Sequence, residues 1–266
     1  MKKLALATAL LASMSAANAY QTEVYAGYEN TDYDDIGDLD LFSLNGKYYI
    51  SPVNNNSAPL AEAGFLSRAS NIGLGYVNAS GDGPEDIDVI GVSGEYYIPD
   101  TQFYVSAGIN RTDAGDDKNT GYNAEVGFLP FTGWIAAVGV SKENIDPVAA
   151  ARYGFNTTLG GAVAAGEDTA VTLRTKYVGN LGTSNTFNLE AQAIVGDETG
   201  YRLSGDVYLD PTLSIGAAYA DATGGDTDNV FSVRAQKFLT PVAAVGVGYT
   251  TSDGADSFGI NGTFRF

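Results

Sequence analysis

The sequence predicts an all-β protein, an antiparallel transmembrane β-barrel of about fourteen strands. Three observations lead to this prediction. Runs of about ten residues with alternating polarity follow one another along the chain, as in membrane strands. The connections between the runs are either short turns or longer acidic loops. The chain also begins with a segment that has the form of an export signal.

Residues 1–19 are predicted to be a cleavable signal peptide. Two lysines precede the largely apolar run Leu4–Ala12, and small residues close the segment at Ala17–Ala19. This apolar run is too short to cross a bilayer as a helix. We therefore expect an exported chain in which residues 20–266 form the barrel.

The strand pattern is clearest in Val171–Tyr177, Phe187–Val195 and Phe258–Phe266, where apolar residues alternate with polar ones. Strands of soluble β-sandwiches usually have about five or six residues, whereas membrane strands need about nine to eleven. Aromatic residues fall at the strand ends, as in the two interfacial girdles of a membrane barrel. Length and aromatic placement therefore favour a barrel over a sandwich.

The predicted strands are residues 22–30, 39–50, 69–78, 87–98, 102–112, 119–129, 133–142, 169–178, 185–195, 200–209, 212–220, 229–238, 242–251 and 257–266. An even number places both termini on one side, which we expect to be periplasmic. Residues 143–168 are predicted to be one long loop that folds inward, and two further strands, giving sixteen in all, are the alternative.

Prolines mark the short turns, which we expect on the periplasmic side, whereas the acidic loops are expected to be extracellular. The turn prolines are Pro99, Pro130, Pro211 and Pro241. The acidic loops are residues 32–38, 82–86, 113–117 and 221–228.

The composition excludes several classes of function. The chain has 32 acidic and 14 basic residues and a net charge of −18, which argues against a nucleic-acid partner. It contains no cysteine and no histidine, so thiolate and imidazole metal sites are absent and the usual acid–base groups are missing. We therefore predict no enzyme activity, no catalytic residue, no cofactor and no bound metal.

Charged residues on the polar phase of the strands are predicted to line the lumen, because a charge that faces lipid costs a few kcal/mol. These predicted pore-lining residues are Lys47, Glu95, Glu125, Arg174, Lys176, Glu190, Arg202, Asp206 and Arg234. The acids come mainly early in the chain and the bases mainly late. The charges either set up a field across the lumen or pair between neighbouring strands, and the sequence leaves both hypotheses open.

The chain also resembles a known family. Its last strand ends in Phe266, which resembles the C-terminal signal read by the barrel-assembly machinery. The segment Ala58–Ser70 resembles the first periplasmic connection of the "putative porin" family of Gram-negative outer-membrane β-barrel proteins, and Leu173–Val178 and Gly205–Asp210 are also similar to it. The resemblance implies a barrel that passes water, ions and small solutes. In terms of its own residues, Ala58–Ser70 is expected to be a short helical turn that plugs or rims the periplasmic mouth.

The resulting prediction is an outer-membrane porin for passive diffusion of water, ions and small hydrophilic solutes. The acidic loops would make it weakly cation-selective, or they serve only as solvated turns or bind divalent ions of the lipopolysaccharide layer. The alternative function is a closed structural or adhesive barrel whose loops bind a host or lipopolysaccharide. Expected partners are outer-membrane lipid, lipopolysaccharide, the barrel-assembly machinery and small solutes. The oligomeric state is left open, with a monomer favoured.

Overall fold

The computed structural model describes residues 19–34, 37–54, 59–82, 86–142, 169–181, 185–196, 199–223 and 229–266. Within these ranges the chain forms a closed barrel of 14 antiparallel strands. Each strand pairs with its neighbours in sequence, and β1 pairs with β14 to close the sheet. The predicted fold class and strand number are therefore confirmed.

The strands are β1 (Ala19–Tyr33), β2 (Gly37–Asn54), β3 (Asn71–Gly81), β4 (Ile87–Tyr97), β5 (Phe103–Ala114), β6 (Asp117–Phe128), β7 (Trp134–Lys142), β8 (Ala170–Leu181), β9 (Asn185–Val195), β10 (Thr199–Asp210), β11 (Leu213–Thr223), β12 (Val230–Thr240), β13 (Ala243–Ser252) and β14 (Ala255–Arg265). Between β2 and β3 lie a 3₁₀ turn (Leu60–Glu62) and the one-turn helix α1 (Ala63–Leu66). No helix in the described ranges is long and apolar enough to cross a membrane.

The barrel is apolar outside and polar inside. On the predicted outward phase, Leu173, Leu189 and Ile260 are 49%, 57% and 51% exposed. On the opposite phase, side chains such as Asn188 and Thr250 are buried. Alternate residues of a strand point to opposite faces, so the period-two pattern of the sequence produces this arrangement directly.

The two ends of the barrel differ. We call the end that carries Phe266 and the proline turns the turn end, and the opposite end the loop end. One connection predicted to be a long acidic loop, residues 113–117, is instead a tight turn at the loop end, because β5 continues to Ala114 and β6 begins at Asp117. Gly115 has a φ of 54°, a conformation that glycine adopts at little cost.

Strands β7 and β8 pair directly, from Trp134 with Tyr177 to Ser141 with Ala170. Within the described ranges, no further strand therefore stands between them, and the sixteen-strand alternative is excluded. The predicted inward loop, residues 143–168, lies outside the described residues. The predicted signal peptide lies outside them as well, except Ala19, which begins β1.

Candidate functional site: the lumen and its plug

The connection between β2 and β3 folds into the barrel at the turn end. Residues 59–70, which we call the plug segment, contain the 3₁₀ turn and α1. Pro59 enters it in an extended conformation, and Arg68, with a φ of 49°, leaves α1 in the left-handed region. A non-glycine residue in that region marks a backbone held by its surroundings. The segment thus has a fixed local shape, as predicted for a helical turn at this mouth.

The plug segment reaches opposite sides of the barrel. Phe65 packs against a buried cluster of Tyr104, Leu129 and Ile135 at β5 to β7, and Leu60 forms a buried cluster with Phe238 and Ala244 of β12 and β13. In the ring of 14 strands, these two wall clusters are at least five strand positions apart in either direction. The plug segment therefore lies across the lumen from wall to wall.

Glu62 anchors the plug segment to the wall through its side chain. The carboxylate is buried and accepts hydrogen bonds from Asn188 Nδ2 at 2.6 Å and from the Tyr208 hydroxyl at 2.7 Å. Lys176 Nζ lies 2.8 Å from its other oxygen. The three donors come from the adjacent strands β8, β9 and β10. A buried carboxylate is stable only when paired in this way, so these contacts fix the plug segment in place.

A second anchor uses the plug backbone. Arg265 Nη1 donates to the Leu60 carbonyl oxygen at 3.0 Å, and Leu60 N donates to the Pro211 carbonyl oxygen at 2.9 Å. Arg265 also pairs with Glu23 of β1 at 2.6 Å. One arginine on the last strand therefore connects the plug segment to the seam between β14 and β1.

Beyond the plug segment, charges of the wall pair with close neighbours. Arg174 contacts both oxygens of Glu125, at 3.1 and 2.7 Å, and also contacts Glu190 at 3.4 Å. Arg234 contacts both oxygens of Asp206, at 2.9 and 2.6 Å. Two-pronged arginine–carboxylate contacts are among the strongest charge pairs. For these five residues, pairing between nearby strands is the arrangement observed.

The Asp206–Arg234 pair depends on a glycine. Asp206, Gly216 and Arg234 lie side by side on β10, β11 and β12. A Cβ at Gly216 would lie 2.0 Å from Asp206 Oδ1, far closer than a real contact. The absence of a side chain on the middle strand therefore opens the gap through which the two charges meet.

The lumen contains a cavity of about 200 Å³ next to the plug segment. Seven of the nine predicted pore-lining residues line it: Lys47, Glu95, Arg174, Lys176, Glu190, Asp206 and Arg234. Glu125 does not line the cavity but pairs with Arg174, which does, and Arg202 lies further along β10 towards the loop end. Glu95 accepts from Asn71 Nδ2 at 2.9 Å and from the Tyr104 hydroxyl at 3.3 Å. That these residues line a conducting path stays a prediction.

The sequence did not single out several residues of this site. Arg265 is the last residue of β14, and the polar phase indicates lumen residues mainly in the middle of a strand. Glu62 lies in the segment predicted to plug the mouth, where a carboxylate among apolar residues was the available signal. Asn188 and Tyr208 carry no charge, so the pattern of charges could not find them.

The chain is similar to known outer-membrane porins in sequence and in structure. Over residues 1–266 the chain matches the family described as "Putative general bacterial porin". The crystal structure of the Acinetobacter baumannii outer membrane protein Omp33 is 30% identical, with a TM-score of 0.75, over 94% of this chain and 99% of that chain. The KdgM porin is 10% identical, with a TM-score of 0.45, over 92% of this chain and 99% of that chain. No curated protein matches the chain.

Proposed function

Because the chain belongs to the general bacterial porin family, whose members are non-enzymatic diffusion channels of the outer membrane, we propose that this barrel passes small hydrophilic solutes and that the plug segment is its gate. The observation that carries the proposal is the position of the plug segment, which spans the lumen but belongs to a connection and not to the wall. Such an element can move while the wall stays intact.

The contacts of the plug segment support a movable gate. The described hydrogen bonds between its backbone and the rest of the chain are few. They join Leu60 N to the Pro211 oxygen, Arg265 to the Leu60 oxygen, Ile50 N to the Ser70 oxygen, and Asn71 Nδ2 to the Ala69 oxygen. A wall strand, in contrast, is held by a ladder of bonds on both sides. Displacing the plug segment therefore breaks far fewer interactions than opening the sheet.

The same contacts also favour the alternative, a closed structural barrel. Glu62 is fully paired and buried, so a plug that never moves would also satisfy its carboxylate. The two functions differ in one measurable property, because only a gated channel conducts when the plug segment is released.

A reversible lock tests the proposal. The chain has no cysteine, so the paired substitution Leu60→Cys and Ala244→Cys places two thiols on side chains that pack together. We expect the oxidised variant to be silent in planar bilayers and to regain wild-type conductance on reduction, with both single variants as controls. Loss of free thiol confirms that the lock has formed. Equal conductance in oxidised and reduced states would reject the gate, and no conductance in any variant would support the closed barrel.

We also propose that any cation selectivity arises at the loop end. Three pairs of lumen charges match one acid with one base: Glu62 with Lys176, Glu125 with Arg174, and Asp206 with Arg234. A neutral pair produces only a weak field at a distance. The acidic residues of the loop end have an excess of negative charge, so they are the better source of a potential that attracts cations.

A further inference from the structure

The wall surface that holds Glu62 has the properties of a binding site. Lys176, Asn188 and Tyr208 come from three adjacent strands and point their donors at one carboxylate. One oxygen of Glu62 accepts from Asn188 and Tyr208, and the other faces Lys176. We call these three wall residues the carboxylate site.

The site is preorganised by contacts within the wall. Asp206 N donates to Asn188 Oδ1 at 3.1 Å, which turns the Asn188 amide nitrogen toward the lumen. The same nitrogen lies 2.9 Å from the Tyr208 oxygen, so the tyrosine oxygen accepts there and its own hydrogen remains for a second partner. Two of the three donors therefore keep their direction without Glu62.

The plug segment covers Lys176 in two ways. Its Nζ pairs with Glu62 and lies 5.1 Å from the centre of the Phe65 ring. Both partners belong to the plug segment, so its displacement takes them from Lys176 together. A buried ammonium group that loses its partner gains strongly from a new anion.

The lumen cavity gives solutes access to this place. Lys176, Asn188 and Tyr208 all line it, as does Glu62. We propose that the carboxylate site binds the carboxylate groups of small solutes, and that Glu62 occupies it as an internal competitor, so that such solutes favour the displaced plug. This inference rests on the gate of the proposed function.

The surroundings select for a single negative charge. Asp206 Oδ2 lies 3.0 Å from Asn188 Nδ2, and Glu190 is buried on β9 nearby in the same wall. Both acids are paired with arginines of the wall, so Lys176 is the charge that acts on an anion at this site. One positive charge compensates a monocarboxylate in full but a dianion such as sulfate only in half. A planar carboxylate also uses its two oxygens for the three donors, as Glu62 does, whereas a tetrahedral anion carries further oxygens that need partners.

The size of the effect follows from linkage. A solute that binds only the displaced state multiplies the ratio of open to closed channels by one plus its concentration over its Kd. At ten times Kd the ratio rises about elevenfold. Equal affinity for both states would give no change.

Single-channel recording of the full chain tests this, with sodium acetate, sodium chloride and sodium sulfate as probes. We expect acetate to raise the open fraction of the wild-type channel with saturable dependence, and chloride and sulfate to leave it nearly constant. Tyr208→Phe combined with Lys176→Gln should lose the acetate dependence. Arg265→Gln is the matched control, because it weakens the plug anchor outside the carboxylate site and should keep the dependence.

The lock variant supplies a readout that needs no conductance. In the protein carrying Leu60→Cys and Ala244→Cys, acetate should slow disulfide formation, because the displaced plug separates the two thiols, whereas chloride at equal ionic strength should not. A conducting channel whose opening and lock rate ignore acetate overturns this inference alone. A channel that stays silent with the lock reduced overturns the proposed function and this inference with it. Persistence of the acetate effect in the Tyr208→Phe, Lys176→Gln protein rejects the assigned site.

Discussion

Gly216 provides the sharpest quantitative prediction. In Gly216→Ala, the new Cβ would lie 2.0 Å from Asp206 Oδ1, so the carboxylate must leave its position and give up Arg234. Breaking a buried charge pair costs about 3–5 kcal/mol. Alanine is favoured over glycine in a strand by about 0.5–1 kcal/mol. The net loss in the free energy of unfolding should therefore be about 2–4 kcal/mol.

The assay is unfolding in urea of the barrel in lipid vesicles, followed by the fluorescence of Trp134, the single tryptophan. Linear extrapolation gives the free energy of unfolding in water. Gly262→Ala is the matched control: a Cβ there has its nearest neighbour, the Ala244 oxygen, at 3.8 Å. That variant should be slightly more stable than the wild type, since only the strand preference changes.

A double variant isolates the carboxylate. With Asp206→Ala already present, adding Gly216→Ala no longer meets the carboxylate, although the contact with the Gly205 oxygen at 2.8 Å remains. The two changes should therefore be strongly non-additive, as expected for residues in direct contact. Additive costs, or a Gly216→Ala protein as stable as Gly262→Ala, would refute the role assigned to this glycine.

Three further predictions concern orientation, assembly and selectivity. Cysteine at Asp116, in the turn between β5 and β6, should react with an impermeant label on whole cells, and cysteine at Asp210, at the turn end, should not; the reverse pattern would invert the orientation. Deletion of Phe266, which exchanges two backbone hydrogen bonds with Thr22 of β1 at 2.9 and 2.7 Å, should leave the protein out of the outer membrane, and a normal heat-modifiable barrel in that membrane would contradict this. Cation selectivity from the reversal potential should fade between about 0.1 M and 1 M salt as the Debye length falls from about 10 Å to 3 Å, whereas selectivity unchanged at high salt would place its source in the lumen.

The strands were predictable because the geometry of a strand and the contrast between lipid and lumen both repeat every second residue. A lipid-facing residue must be apolar and its neighbour faces the lumen, so Leu173, Leu189 and Ile260 identify their face from sequence alone. Turn length was less predictable. The acids at residues 113–117 indicated a loop, yet Gly115 closes a tight turn there, since a single residue at positive φ suffices.

Which lumen charges pair with one another could not be predicted from the sequence, because the pairing depends on geometry. Phase places Asp206 and Arg234 on the lumen face, but their meeting depends on the register of three strands and on the gap at Gly216. The contacts that anchor Glu62 of the plug segment are even harder to predict from the sequence. Glu62 lies 126 residues from Asn188 and 146 from Tyr208 along the chain, and only closure of the ring brings them together.

The contacts of Arg265 indicate the order in which the barrel closes and the plug segment is anchored. Its contacts with Glu23 and with the Leu60 oxygen span 242 and 205 residues, close to the full length of the barrel. Contacts this distant form late, because the intervening chain must be placed first. The seam and the second plug anchor share the side chain of Arg265 on β14. An unfinished barrel is therefore an open trough with an untethered plug, and its mouth is sealed by the same event that makes it a cylinder.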